Sequence, residues 1–193
     1  ILLAASWIDT LSVAEIAEEI QRSFDFLEGE MRDLPERQRS LRAVFEHSWK
    51  LLDETERAAM RCFSIFHGGF TREVAQQVAE VSLKTLTSLI NKSFLSREPS
   101  GRFDVHELLR QYAERELNQT PQERERILFR HAAYYAGFIE KRWFSIRNAK
   151  AKTTADEIDI EIDNVRAAWN IILEQAQLPQ IAIVGRVLWV YLD

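Results

Sequence analysis

The side chains in this chain of 193 residues best suited to chemistry are imidazole and basic groups rather than paired acids. His106 and Glu107 stand where a short extended stretch gives way to a helical pattern. Lys84 and Lys92 bracket the polar residues Thr85, Thr87, Ser88 and Asn91, and Arg97 and Arg102 lie on either side of the turn that follows. Four cations so grouped could meet phosphates. Glu98 and Asp104 lie among them, however, and a module that neutralises about 6–10 phosphates usually carries a denser basic face. The other histidines have weaker claims: His47 sits beside Trp49, His67 precedes Gly68-Gly69, and His131 faces Tyr134 and Tyr135. None has a Cys or carboxylate at metal-binding spacing, so no metal is expected. Glu18-Glu19 and the run from Asp156 to Asp163 read as solvated helix faces, not as acid–base pairs. The single cysteine, Cys62, lies among Met60, Phe63 and Ile65 and reads as packing, which suits a reducing cytoplasm.

The elements that position these groups follow from composition and periodicity. With 46% hydrophobic and 28% charged residues the chain is globular, and only 6 Gly and 4 Pro argue against a turn-rich sandwich or barrel. The fold class expected is mainly α. The net charge is −5, and no segment is strongly basic. No apolar run approaches the ~20 residues that a membrane span requires, so no membrane partner is expected. The sequence begins without Met in a helical pattern, which reads as a piece of a longer protein.

Apolar spacing around Leu3, Trp7, Leu11, Val13, Ile16 and Ile20 predicts helices over residues 1–30, and the polar run Glu28 to Ser40 reads as a linker. A second unit spans 38–118. It opens with a helix bearing Leu41, Val44, Phe45, Trp49 and Leu52, and Asp53 with Glu56 marks a new helix start. Thr71 and Ser82 are placed to cap two more short helices. Residues 93–97 and 102–105, separated by Pro99-Ser100-Gly101, read as a hairpin, and a helix with Leu108, Leu109, Tyr112 and Leu117 follows. Three helices, a two-stranded wing and another helix describe a winged-helix module.

The remainder, 120–193, reads as the start of a TPR-like helical repeat array. Thr120-Pro121-Gln122-Glu123 signals a capped helix running to about Ile146, and residues 148–154 read as a break. Ile158, Ile162, Val165, Trp169 and Ile172 mark a second long helix, and Pro179 opens a third. The five tryptophans fall at apolar helical positions and read as packing.

Several stretches, in order, resemble a known family: Leu41-Arg42-Ala43-Val44-Phe45-Glu46-His47-Ser48-Trp49, Phe63-Ser64-Ile65-Phe66-His67-Gly68-Gly69-Phe70-Thr71, Leu89-Ile90-Asn91-Lys92-Ser93-Phe94-Leu95, Val105-His106-Glu107-Leu108-Leu109-Arg110, and Glu161-Ile162-Asp163-Asn164-Val165-Arg166-Ala167-Ala168-Trp169. The resemblance is to bacterial signal-transduction ATPases with numerous domains (STAND), relatives of the NB-ARC proteins and of AfsR- and MalT-like regulators. It implies that residues 1–30 are the tail of the ARC-type helical domain, 38–118 the winged helix and 120–193 the head of the repeat sensor.

The resemblance further implies that ATP or ADP with Mg²⁺ binds a domain outside this chain. No G-x-x-x-x-G-K-[ST] loop occurs in the sequence, so the segment itself is expected to hold no cofactor and to be no enzyme. His106 falls where the family's Met-His-Asp motif places a histidine on the β-phosphate of ADP, with Val105 for Met and Glu107 for Asp. The plainer role is a junction histidine that caps or packs locally. The partners implied are the nucleotide-binding domain in cis, an inducer or protein held by the repeats, and further copies on activation. Direct DNA contact is not expected on this reading. The rival reading is a DNA-binding winged-helix transcriptional regulator that contacts its operator through Lys84, Lys92, Arg97 and Arg102.

Overall fold

The computed structural model describes residues 48–175 and 178–192, so the expectations for 1–30, the 28–40 linker, His47 and most of the helix that opens the second unit lie outside the described residues. After a helical turn at 48–50 come α1 (Glu54–Phe63), α2 (Arg72–Gln77), α3 (Leu83–Asn91), strands β1 (Ser96–Arg97) and β2 (Phe103–Asp104), and α4 (Glu107–Asn118). Three long helices complete the order: α5 (Pro121–Glu140), α6 (Ala151–Glu174) and α7 (Leu178–Leu192), with a 3₁₀ turn at Ser145–Arg147 between α5 and α6. The chain is mainly α: a winged helix followed by packed long helices in the manner of a repeat array.

Local chemistry sets the helix starts. Asp53 accepts from Glu56 N–H at 2.9 Å while the Glu56 carboxylate accepts from Asp53 N–H at 2.8 Å, a complete capping box. Thr71 and Ser82 accept from Val74 N–H and Thr85 N–H, as expected. Thr120 does not cap α5; its hydroxyl lies 3.0 Å from Leu117 O and 3.1 Å from the Glu123 carboxylate. Pro121 nonetheless stands at the first helical position.

The wing is short. Ser96 pairs with Asp104 and Arg97 with Phe103 in antiparallel register, and Phe70 adds a backbone bridge to the other side of Phe103. Gly69 makes that approach possible: its φ is +76°, and a Cβ there would sit 2.7 Å from Phe103 O. Phe63 stacks on Phe70 at 4.4 Å between ring centroids, and Phe66 lies 5.0 Å from Phe70. Burying Phe63 completely contributes about 1.5–3 kcal/mol. Cys62 belongs to this core, and burial pushes its thiol up to about 12.

The long helices depart from expectation in two places. Helix α5 ends at Glu140 rather than near Ile146, because Arg142 N–H and Trp143 N–H turn to Ile139 O and Glu140 O and tuck Ile146 inward. Helix α6 starts at Ala151, inside the stretch read as a break, with Ala151 N–H on Asn148 O. Their shared core is Ile127, Tyr135 and Ile139 of α5 against Ile158, Val165 and Ile172 of α6, with Val184 and Val187 of α7 added. Trp49 is buried, but Trp189 is 77% exposed, so packing does not account for every tryptophan. Among the described residues no helix is long and apolar enough to cross a membrane.

Candidate functional site

His106 is the N-cap of α4, and its side chain is exposed. Leu108 N–H donates to its Nδ1 at 3.3 Å, so in the neutral ring the proton sits on Nε2, which is left as the donor. The local capping role weighed against ligand contact is therefore present, and it aims rather than consumes the imidazole. Glu107 does not join it. Its carboxylate takes two 2.8 Å hydrogen bonds from Arg110 and one from Gln111 Nε2. Burial raises the Glu107 carboxyl, the bonds from Arg110 and Gln111 outweigh that, and the net direction is below the ordinary carboxylate range. Arg110 also donates to Ser64 O at 2.9 Å, tying α4 to the end of α1.

The four candidate DNA-contacting cations separate into two pairs. Lys84 and Arg97 are exposed. Lys92 instead reaches back to Glu56 at 2.7 Å and to Leu51 O at 3.1 Å. Glu56 is buried, and it also accepts from Ser88 Oγ at 2.6 Å. Desolvation raises the Glu56 carboxyl, and Lys92, Ser88 and the Asp53 N–H more than reverse it. Helix α3 is thereby fastened to α1 by Ser88 and Lys92, while its Lys84, Thr87 and Asn91 stay exposed.

Arg102 turns inward from the wing, its side chain 12% exposed. Its guanidinium pairs with Glu161 of α6 and donates to Gly68 O at 3.2 Å and Gly69 O at 3.1 Å. Glu161 also accepts from Tyr135 Oη at 3.0 Å and from Asn164 Nδ2 at 3.1 Å. Asn164, fully buried, accepts from His67 N–H at 2.8 Å and donates to Gly69 O at 2.9 Å. The wing, the Gly68-Gly69 loop, α5 and α6 thus meet in one polar clasp.

Glu161 and Asn164 were not singled out as site residues in the sequence, where 156–163 read as a solvated face. The signal was there: Glu161 lies three residues after Ile158 and four before Val165, on the buried stripe of α6. His131 packs under the clasp, its ring 5.2 Å from Phe66 and 4.8 Å from Tyr135. Desolvation holds its pKa down at about 3.

Comparison with known proteins adds a direction. Three curated proteins, from Mycobacterium bovis and from the CDC 1551 and H37Rv strains of Mycobacterium tuberculosis, are each 31% identical over 176 residues, and each carries the provisional name HTH-type transcriptional regulator. The chain is similar to part of a transcriptional regulator. The match covers 86% of this chain, and the chain spans about a fifth (20%) of the length of these relatives. No protein-family model matches, and no solved structure matches significantly. The regulator similarity supports the rival reading in outline, while the geometry of Lys92 and Arg102 bears on how such a winged helix is used.

Proposed function

We propose that this segment is the coupling arm of a larger, nucleotide-switched transcriptional regulator, with the winged helix serving as a protein-facing adaptor and the long helices beginning a sensor. The observation that carries the reading is Arg102: the wing's inner cation is bonded to Glu161 and to the Gly68-Gly69 carbonyls, not presented to a groove. His106 supports it, since an exposed, pre-aimed imidazole donor suits an anionic group on a domain docked against α4. On this reading the ADP-loaded nucleotide domain docks there, the repeats receive an inducer or protein partner, and release favours the ATP-loaded, oligomerising form in the cytoplasm. In the intact protein His106→Ala should speed ADP release; an unchanged ADP off-rate overturns the role given to His106.

The relatives' regulator name favours a second reading, in which Lys84 and Arg97 contact DNA directly. Titrating the chain onto duplex DNA across salt concentrations separates the two. The adaptor reading expects weak binding with a shallow salt slope; a steep slope lost in Lys84→Ala/Arg97→Ala would establish the DNA-reading role.

A further inference from the structure

A groove of about 590 Å³ opens beside the clasp, between α2, α5 and α6. Its floor is one face of α5: Tyr134, Gly137, Phe138 and Lys141 recur at helical spacing, and Ile160 of α6, 60% exposed, forms a wall. The volume lies within the range of small-molecule sites, roughly 300–1,000 Å³.

Gly137 is the informative residue. It sits inside a 20-residue helix without positive φ, and a Cβ built on it meets nothing within 4 Å. Alanine is the better helix former, so neither the backbone nor packing calls for glycine here. What the missing side chain does is leave the floor bare between Tyr134 and Phe138. Phe138 is held in place from one side by the Arg142 guanidinium, 3.4 Å from its ring centroid.

Charge gives the groove a direction. Arg102 with Glu161 and Arg142 with Glu157 are paired within the lining. Glu73, which accepts from Gln77, leaves an acidic end beside Tyr134. Lys141 is exposed, makes no ion pair among the described residues, and stands two helical turns away, about 10 Å along the axis. We propose that this groove binds a small planar aromatic ligand bearing one anionic group, its ring over Gly137 between Tyr134 and Phe138 and its anion at Lys141. The site does not depend on how the segment couples to a nucleotide domain.

The test titrates the full chain with 1-anilinonaphthalene-8-sulfonate and with its uncharged analogue N-phenyl-1-naphthylamine, read by fluorescence, alongside thermal melts. The sulfonate should saturate one site, with the uncharged analogue about fivefold weaker, and Lys141→Glu should weaken only the sulfonate, by about the same factor. Gly137→Leu should weaken both probes about tenfold while melting no lower than wild type. If the leucine variant melts lower, Gly137→Ala decides, with a higher melting temperature and binding about twofold weaker expected. Unchanged binding in a Gly137 variant that folds, or sulfonate binding indifferent to Lys141, overturns the proposal.

Discussion

Arg102 of the wing and Glu161 of α6, 59 residues apart in sequence, form an ion pair with side chains only 12% and 8% exposed. A pair so buried adds little net stability, because desolvating two charges cancels most of their attraction. It ties the wing to α6 in the observed arrangement, where Arg102 and Glu161 satisfy each other. Glu161→Ala should cost about 3–5 kcal/mol, since it strands a buried guanidinium and removes the partner of Tyr135 Oη. The double variant Arg102→Met/Glu161→Leu should recover the part due to the stranded guanidinium and leave the part due to the lost Tyr135 and Asn164 hydrogen bonds. Urea denaturation of Arg102→Met, Glu161→Leu and the double variant, treated as a cycle, checks this; a double variant as unstable as Glu161→Leu would show that the charges themselves hold the contact.

Asn164 should be less replaceable than its size suggests. Asn164→Ala leaves His67 N–H without its partner and Gly69 O with only the Arg102 guanidinium, and should cost about 1–3 kcal/mol. Asn164→Asp keeps the acceptor for His67 but sets a carboxylate oxygen against Gly69 O and the Glu161 carboxylate, so it should be at least as damaging at pH 7. Chemical denaturation of both variants ranks them, and an aspartate variant as stable as wild type would contradict the assigned amide orientation.

These residues also mark where sequence reading succeeds and where it stops. The caps at Asp53, Thr71 and Ser82 were legible because each involves a partner three residues away. The wing was legible from its turn and alternation. Its pairing by Glu161 was not, because Arg102 comes from another element and Glu161 lies in a run where acids alternate with isoleucines, from Ile158 to Asp163. The end of α5 at Glu140 was missed for a related reason: residues 141–147 keep apolar helical spacing while their backbone tightens to bury Ile146. His106 was visible as a junction residue, but only the structure shows its Nδ1 engaged by Leu108 N–H.

His131 gives the fold a pH dependence of known sign. Its folded pKa is about 3 and its ordinary value 6.5, so the unfolded chain binds the extra proton between those limits. Stability is therefore full above about pH 6.5 and falls as the pH drops, with a slope approaching 1.4 kcal/mol per pH unit. Between pH 5 and 6.5 the depressed carboxylates Glu56 and Glu107 remain ionised in both states and contribute little to the slope. Urea midpoints measured across that window should fall for wild type and fall less steeply in His131→Phe, which keeps the ring between Phe66 and Tyr135; His67, whose pKa burial also lowers, supplies a remaining slope of the same sign. An equal slope in the variant would move the titration to another group.

Gly69 should tolerate no side chain. At φ +76° any L-residue is strained, and a Cβ there would stand 2.7 Å from Phe103 O, a backbone atom fixed on both sides by β1 and by Phe70. Relief would require Phe70 to move off Phe103, breaking the paired Phe70 N–H to Phe103 O and Phe103 N–H to Phe70 O bonds and loosening the Phe63–Phe70 stack. Gly69→Ala should therefore cost about 3 kcal/mol or more, beyond the 1–3 kcal/mol of backbone strain alone. Gly101→Ala is the control: φ is +86°, but the nearest atom is the far end of the Arg97 side chain at 4.0 Å, so strain alone should appear. Denaturation of the two variants side by side measures the difference, and equal losses would remove the steric part of the account.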